Sequence, residues 1–150
     1  MTGDNGSKAQ RSLTLRDYQA LSNLRYALRR FLAFSTVAAQ QAGLPARQHQ
    51  ALLAIKGKQT DGPMTIGALA ERLLIAPHSA TELVGRLVKA GLVVRSDDAN
   101  DRRKQALSLT DSAEAILQSL TLAHLHEIRE IAPVLMEVLP ALDPGKPPPA

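Results

Sequence analysis
No cysteine occurs among the 150 residues, so disulfides and thiol-based catalysis or redox sensing are excluded. Tryptophan is also absent, and aromatic residues make up 3% of a chain that is 45% hydrophobic. A core must therefore be built mainly from Leu, Ala, Val and Ile, a composition that suits packed helices. No apolar run reaches the ~18 residues needed to span a bilayer. The first residues, MTGDNGSKAQRS, lack the apolar stretch of a secretory signal. The expectation is a cytoplasmic chain with no membrane partner. Phosphate-cradling, dinucleotide-binding and nucleophile-elbow glycine patterns are missing as well. Asp97, Asp98 and Asp101 lack the Gly and terminal Glu of a calcium loop. His124 and His126 are two apart and point to different sides of a helix, which is poor ligand geometry. His126 and Glu130 are four apart, but one such pair does not make a metal site. No metal, no cofactor and no enzymatic activity are expected.

Positive charge is present, and it is uneven. The net charge is +4. Residues 1–63 hold nine Lys and Arg against three Asp and Glu, whereas residues 111–150 hold two against six. A basic front and an acidic back suit a polyanionic partner on one side only. A length of 150 residues allows one domain with a real core.

The most informative stretch is MTIGALAERLLIAPHSATELVGRLVKAGLVVRSDDANDRRKQALSLT, residues 64–110. Thr65 is a good N-cap for a first helix, whose apolar face is Ile66, Leu69, Ala70 and Leu73. Pro77 suits the first turn of a second helix. Ala80, Leu83, Val84, Leu87 and Val88 form its buried stripe, and Gly91 ends it. The opposite face carries His78, Ser79, Thr81, Glu82, Gly85, Arg86 and Lys89. These groups suit base edges and phosphates, or an ordinary solvated face. Leu92–Val94 and Gln105–Leu109 then read as two strands of a ribbon. The segment between them, Asp97 to Lys104, is turn-forming and ends in three consecutive cations. Arg102, Arg103 and Lys104 suit phosphates or a narrow minor groove.

Longer helices flank this segment. Tyr18, Leu21, Leu24, Leu28, Phe31, Leu32 and Ser35 recur at spacings of three and four, predicting a helix over 15–42 that Gly43 ends. A further helix opens at Leu44-Pro45 and runs to about Lys56, with Leu52, Leu53 and Ile55 inward. Asp111 and Glu114 resemble a capping box for a helix over 111–131, which Pro133 should break or kink. Val134 to Leu139 would form a short final helix. These helices hold more apolar surface than a small winged domain can cover. A second copy of the chain is the simplest cover, and folding back on one protomer is the alternative. The Pro-rich end, DPGKPPPA, reads as disordered.

The motif strings His78-Ser79-Ala80-Thr81-Glu82-Leu83-Val84 and Leu87-Val88-Lys89-Ala90-Gly91-Leu92-Val93 resemble the MarR (multiple antibiotic resistance regulator) family. So does the wing string Asp98-Ala99-Asn100-Asp101-Arg102-Arg103, followed by Leu107-Ser108-Leu109-Thr110. The chain departs from the usual family pattern at His78, Ala99 and Ala113, where a Ser, a Pro and a nearby Gly are usual. The resemblance implies a mainly α fold with a small β-wing. It divides the chain into a winged helix-turn-helix over 44–110 and dimerisation helices over 12–43 and 111–142, with disordered ends at 1–11 and 143–150. It implies a homodimeric, ligand-responsive transcription repressor that reads a near-palindromic site in double-stranded DNA. The helix from Pro77 would enter the major groove. Arg102 and Arg103 would reach the minor groove or its phosphates, with Asp101 bracing an arginine. Family members often bind small aromatic or lipophilic anions in a crevice, which Tyr26, Arg30, Phe34 and His49 could line here. Ordinary packing is the competing reading of those four. A helical binding module without DNA binding is the competing reading of the whole.

Overall fold
The computed structural model of the chain describes residues 12–58, 61–97, 105–143 and 145. Their elements follow in order: α1 (Leu15–Gln41), α2 (Ala46–Lys56), α3 (Ile66–Leu73), α4 (Pro77–Lys89), β1 (Val93–Asp97), β2 (Gln105–Leu109) and α5 (Asp111–Ala141). The ribbon tip with Asp98 to Lys104, the stretch 1–11 and most of 143–150 lie outside the described residues. The expectations of disorder at both ends fall there.

Local rules account for most boundaries. Thr14 starts α1, with its N–H and hydroxyl both donating to the Asp17 carboxylate at 2.8 and 3.1 Å. At the other end Gly43 takes a left-handed φ of 80°, and the Leu44 N–H returns to the Ala39 carbonyl at 2.9 Å. The Thr65 hydroxyl caps α3 by accepting the Ala68 N–H at 3.1 Å. Gly91, at φ 74°, follows α4, and there the Leu92 N–H returns to the Leu87 carbonyl at 2.9 Å.

The chain forms two compact units. One comprises residues 32–127 and contains the main core. Leu52 of α2, Leu69 of α3, and Val84 and Leu87 of α4 are its largest completely buried side chains. Ala39 of α1 and Ala113, Leu117 and Leu120 of α5 join the same core. Each large aliphatic side chain buried there contributes about 1.5–3 kcal/mol. The strands β1 and β2 pair antiparallel, with Val93 opposite Leu109 and Arg95 opposite Leu107. A bridge from Met64 widens this wing, because the Leu107 N–H donates to the Met64 carbonyl at 2.8 Å. The other unit combines residues up to Phe31 with those from Ile128, and buries Ala20, Ala27, Ile131 and Val138.

Several expectations need correction. Pro133 does not interrupt α5, which continues through it and through Pro140. A helical proline loses one backbone hydrogen bond and crowds the preceding turn, at about 3 kcal/mol. Buried Ile131 and Val138, one on each side of it, offset that cost. The cap of α5 is Thr110 rather than Asp111, since the Thr110 Oγ1 accepts the Ala113 N–H at 3.2 Å. Glu114 instead pairs with Lys56, Oε1 to Nζ, at 2.9 Å. Leu53 and Val88 are exposed rather than inward. On α1 the stripe facing inward is Ala20, Ala27, Ser35 and Ala39, while Tyr18, Leu21, Leu28 and Leu32 are exposed.

Candidate nucleic-acid interface
Helix α4 divides into two faces. Ala80, Leu83, Val84 and Leu87 are buried. Pro77, His78, Thr81, Glu82, Arg86 and Lys89 are exposed, and Ser79 is half-buried. All seven expected positions on this helix therefore lie outside the apolar stripe that anchors it. Pro77 occupies the first turn, after Ala76 in extended conformation with no side-chain cap. The N-cap residue therefore offers the first-turn amides no side-chain acceptor. The Thr81 hydroxyl donates to the Pro77 carbonyl at 3.1 Å and keeps its lone pairs for an outside donor.

The outward face is bordered by neighbouring elements. Ser79, Glu82 and Arg86 line a groove of about 400 Å3 shared with the start of α2, where Pro45, Ala46, Arg47 and Gln48 form the other wall. On the other border, Gly85 leaves space beside the wing. A Cβ at this position would sit 3.7 Å from Nη2 of Arg95 on β1. Thr110 locks the wing to the end of α4, with its hydroxyl donating to the Gly91 carbonyl at 2.7 Å and its N–H to the Leu92 carbonyl at 3.1 Å. Asp101, Arg102, Arg103 and Lys104 lie outside the described residues.

Residues 42–104, which include α2, α3, α4 and the first wing strand β1, match the model of the MarR family. Over those residues the chain is similar to the MarR family. It is similar to the HTH-type transcriptional regulator YcgE of Bacillus subtilis, with 51% identity over 43 residues, 29% of this chain and 28% of that protein. The transcriptional activatory protein BadR of Rhodopseudomonas palustris is 29% identical over 85 residues, 57% of this chain and 49% of BadR. The chain spans about half the length, or less, of these curated relatives. Among solved structures, AbsC of Streptomyces coelicolor superposes with a TM-score of 0.69 at 22% identity, over 90% of this chain and 95% of AbsC. A mutant of MepR from S. aureus, bound to an oligodeoxyribonucleotide, gives 0.62 at 20% identity, over 88% of this chain and 100% of MepR. These structural likenesses establish the MarR fold.

The four residues suggested for a MarR-type ligand crevice fall into two pairs. Arg30 sits over the Tyr26 ring, 5.9 Å from its centroid, in the unit containing the start of α1. Phe34 and His49 meet around His124 in the unit 32–127. Phe34 makes an edge contact with His124 at 5.3 Å, and the His49 and His124 rings are 4.9 Å apart. His124 Nδ1 lies 2.6 Å from the Leu120 carbonyl, and Nε2 lies 2.8 Å from the Ser35 hydroxyl. A carbonyl only accepts, so Nδ1 carries a proton, and in the neutral ring Ser35 donates to Nε2. His49 is buried, and among the described residues its Nδ1 has no hydrogen-bond partner. Burial, and then the neighbouring His124, hold its imidazole below the usual value.

Sequence reasoning missed Arg47, Arg95, Thr110 and the Ser35–His124 bond. Arg47 is distant in sequence from the motif, and Arg95 sits at the wing's root rather than in its cationic tip. Thr110 carried a usable signal, since a Thr followed three residues later by Ala113 inside an apolar helix fits a cap. A second groove of about 610 Å3 between α2 and α5, with Leu53, Leu117 and Leu122 on its walls and the Lys56–Glu114 pair at its edge, had no sequence signal.

Proposed function
We propose that the chain is a sequence-specific, DNA-binding transcription regulator that acts as a homodimer on a near-palindromic site. The observation that carries this reading is the division of α4. One face is spent on the core, and the other presents His78, Ser79, Thr81, Glu82, Arg86 and Lys89 outward. A helix held this way can enter a major groove ~12 Å wide and offer side chains to base edges. The oligonucleotide bound to the MepR mutant supports the same use of a similar fold. Arg102, Arg103 and Lys104 are proposed as wing contacts, with Asp101 as their brace.

Homodimerisation is supported by uncovered apolar surface. Tyr18, Leu21 and Leu28 on α1, and Val134, Met136 and Leu139 on α5, are exposed. The proposed dimerisation helices are 12–43 and 111–142. Among the described residues no helix is long and apolar enough to cross a membrane, and the cytoplasm is the proposed location. Repression relieved by a small aromatic or lipophilic anion completes the proposal.

The test is to capture fragments of the source genome on purified protein and sequence what is retained. The expected result is enrichment of a few sites with inverted half-sites, and changes at His78, Ser79 or Thr81 should alter base preference at individual positions. Each lost base contact should cost about 1–3 kcal/mol at its own position. Retention without any sequence enrichment would favour a binding module without DNA readout. Expression of the genes beside the enriched sites should rise when the protein is deleted, and adding such anions should release the complex.

A further inference from the structure
We propose that Arg47 and Arg95 grip the two phosphate strands that border the major groove, one on each flank of α4. This rests on the reading of α4 as the helix that enters DNA. A helix ~10–12 Å across fills a groove ~12 Å wide, so its two flanks approach the two backbones that form the groove walls. On α4 the outward line runs through His78, Glu82 and Lys89. To one side of it Ser79 and Arg86, with Glu82 at the border, line the groove whose opposite wall includes Arg47, on the first turn of α2. To the other side, about 100° from Arg86 around the helix, lies Gly85, with Nη2 of Arg95 3.7 Å from where its Cβ would sit. Two guanidinium groups, from separate elements of one compact unit, thus flank the reading helix.

Arg47 and Arg95 are exposed, and among the described residues neither forms an ion pair or a side-chain hydrogen bond. Each remains available for a charge-assisted, forked contact to phosphate oxygens. Glu82 lines the same groove as Arg47 with the opposite charge, and Arg86 on that wall supplies a second cation, so the groove stays net positive. Both arginines sit on regular elements, α2 and β1, so their positions do not depend on the wing tip. Contacts of this kind set register and orientation without reading sequence.

The experiment uses the full chain with Arg47→Gln, Arg95→Gln, the double variant and the two Arg→Lys variants. Binding is titrated over a range of salt concentrations on a mixed-sequence duplex and on a site recovered from the genome. Thermal melts check that each variant is folded. Each Gln variant should lower the slope of log K against log salt by about one unit per protomer, and the double variant by about two. The loss should be the same on both DNAs, so that the preference for the genomic site is unchanged, and the Lys variants should keep the wild-type slope. Unchanged slopes and affinities in the Gln variants would show ordinary solvated arginines and overturn the proposal. So would a loss confined to the genomic site with altered base preference, which would mark base readers. If the wild-type chain binds neither DNA, the reading of α4 itself fails and takes this proposal with it.

Discussion

Leu74 occupies a position that suits glycine. It follows α3 with φ 56°, the left-handed region, and 92% of its surface is exposed. The Ile75 N–H returns to the Ala70 carbonyl at 3.0 Å, the same closure that Leu44 makes after Gly43 and Leu92 after Gly91. At those two ends a glycine avoids the crowding of Cβ against the carbonyl, but Leu74 does not. The left-handed conformation costs an L-residue about 1–2 kcal/mol, and glycine loses about 0.5–1 kcal/mol more chain entropy on folding. With no side-chain packing to lose, Leu74→Gly should stabilise the fold by about 0.5–1 kcal/mol, a rise of ~2 °C in Tm. Thermal denaturation followed by circular dichroism checks this, and a lower Tm would mean that the exposed leucine is packed in the assembled protein. Gly43, Gly91, Thr65 and Pro77 were legible in the sequence because each acts through its own backbone neighbours. The cap at Thr110 was harder to read, because Asp111 beside it offers a competing side chain and Glu114 completes an apparent capping box.

At the scale of elements, His49, His124 and Ser35 join α2, α5 and α1 inside the unit 32–127. Burial disfavours the charged form of His49 most, and the facing His124 adds to it. The His49 imidazole is held below its usual value, so the folded state takes up its proton less readily than the unfolded chain does. Stability present at neutral pH is therefore lost as pH falls below about 6.5, where the unfolded imidazole protonates, and the loss continues down to the folded-state value. Tm should be level above about pH 7.5 and decline from about pH 6.5 downward. His49→Leu should remove most of that decline between about pH 6.5 and 5.5 while carboxylates remain ionised. An unchanged profile in that variant would assign the acid sensitivity to other groups. The amphipathic pattern could place His49 on the inner face of α2, but not reveal that its neighbour would be a histidine 75 positions further on. The same separation explains Pro133. Local propensity predicts a break there, while burial of side chains on both sides of it sustains one continuous α5.

At the scale of the molecule, the apolar pattern of α1 carries more than one protomer uses. Ala20 and Ala27 face inward, and the larger Leu21 and Leu28 remain about half exposed, at 52% and 48%. Burying such side chains is worth about 1.5–3 kcal/mol each, which is the drive proposed for dimer formation. Leu21→Glu with Leu28→Glu should leave the helical circular dichroism signal intact and yield a monomer by light scattering. A dimer of wild-type stability in that variant would place the interface elsewhere.

The sequence by itself determined the helix-turn-helix, the ribbon, the positions of most helix ends and the outward face of α4. Those features follow from hydrophobic period, capping chemistry and turn residues, all of which act over a few positions along the chain. Tertiary structure decided which side of α1 turns inward, whether α5 survives its proline, and that His49 meets His124. It also decided that Arg47 and Arg95 flank the same helix. Each of these depends on packing between residues far apart in the chain, and periodicity can mark an apolar face without naming the surface that will cover it.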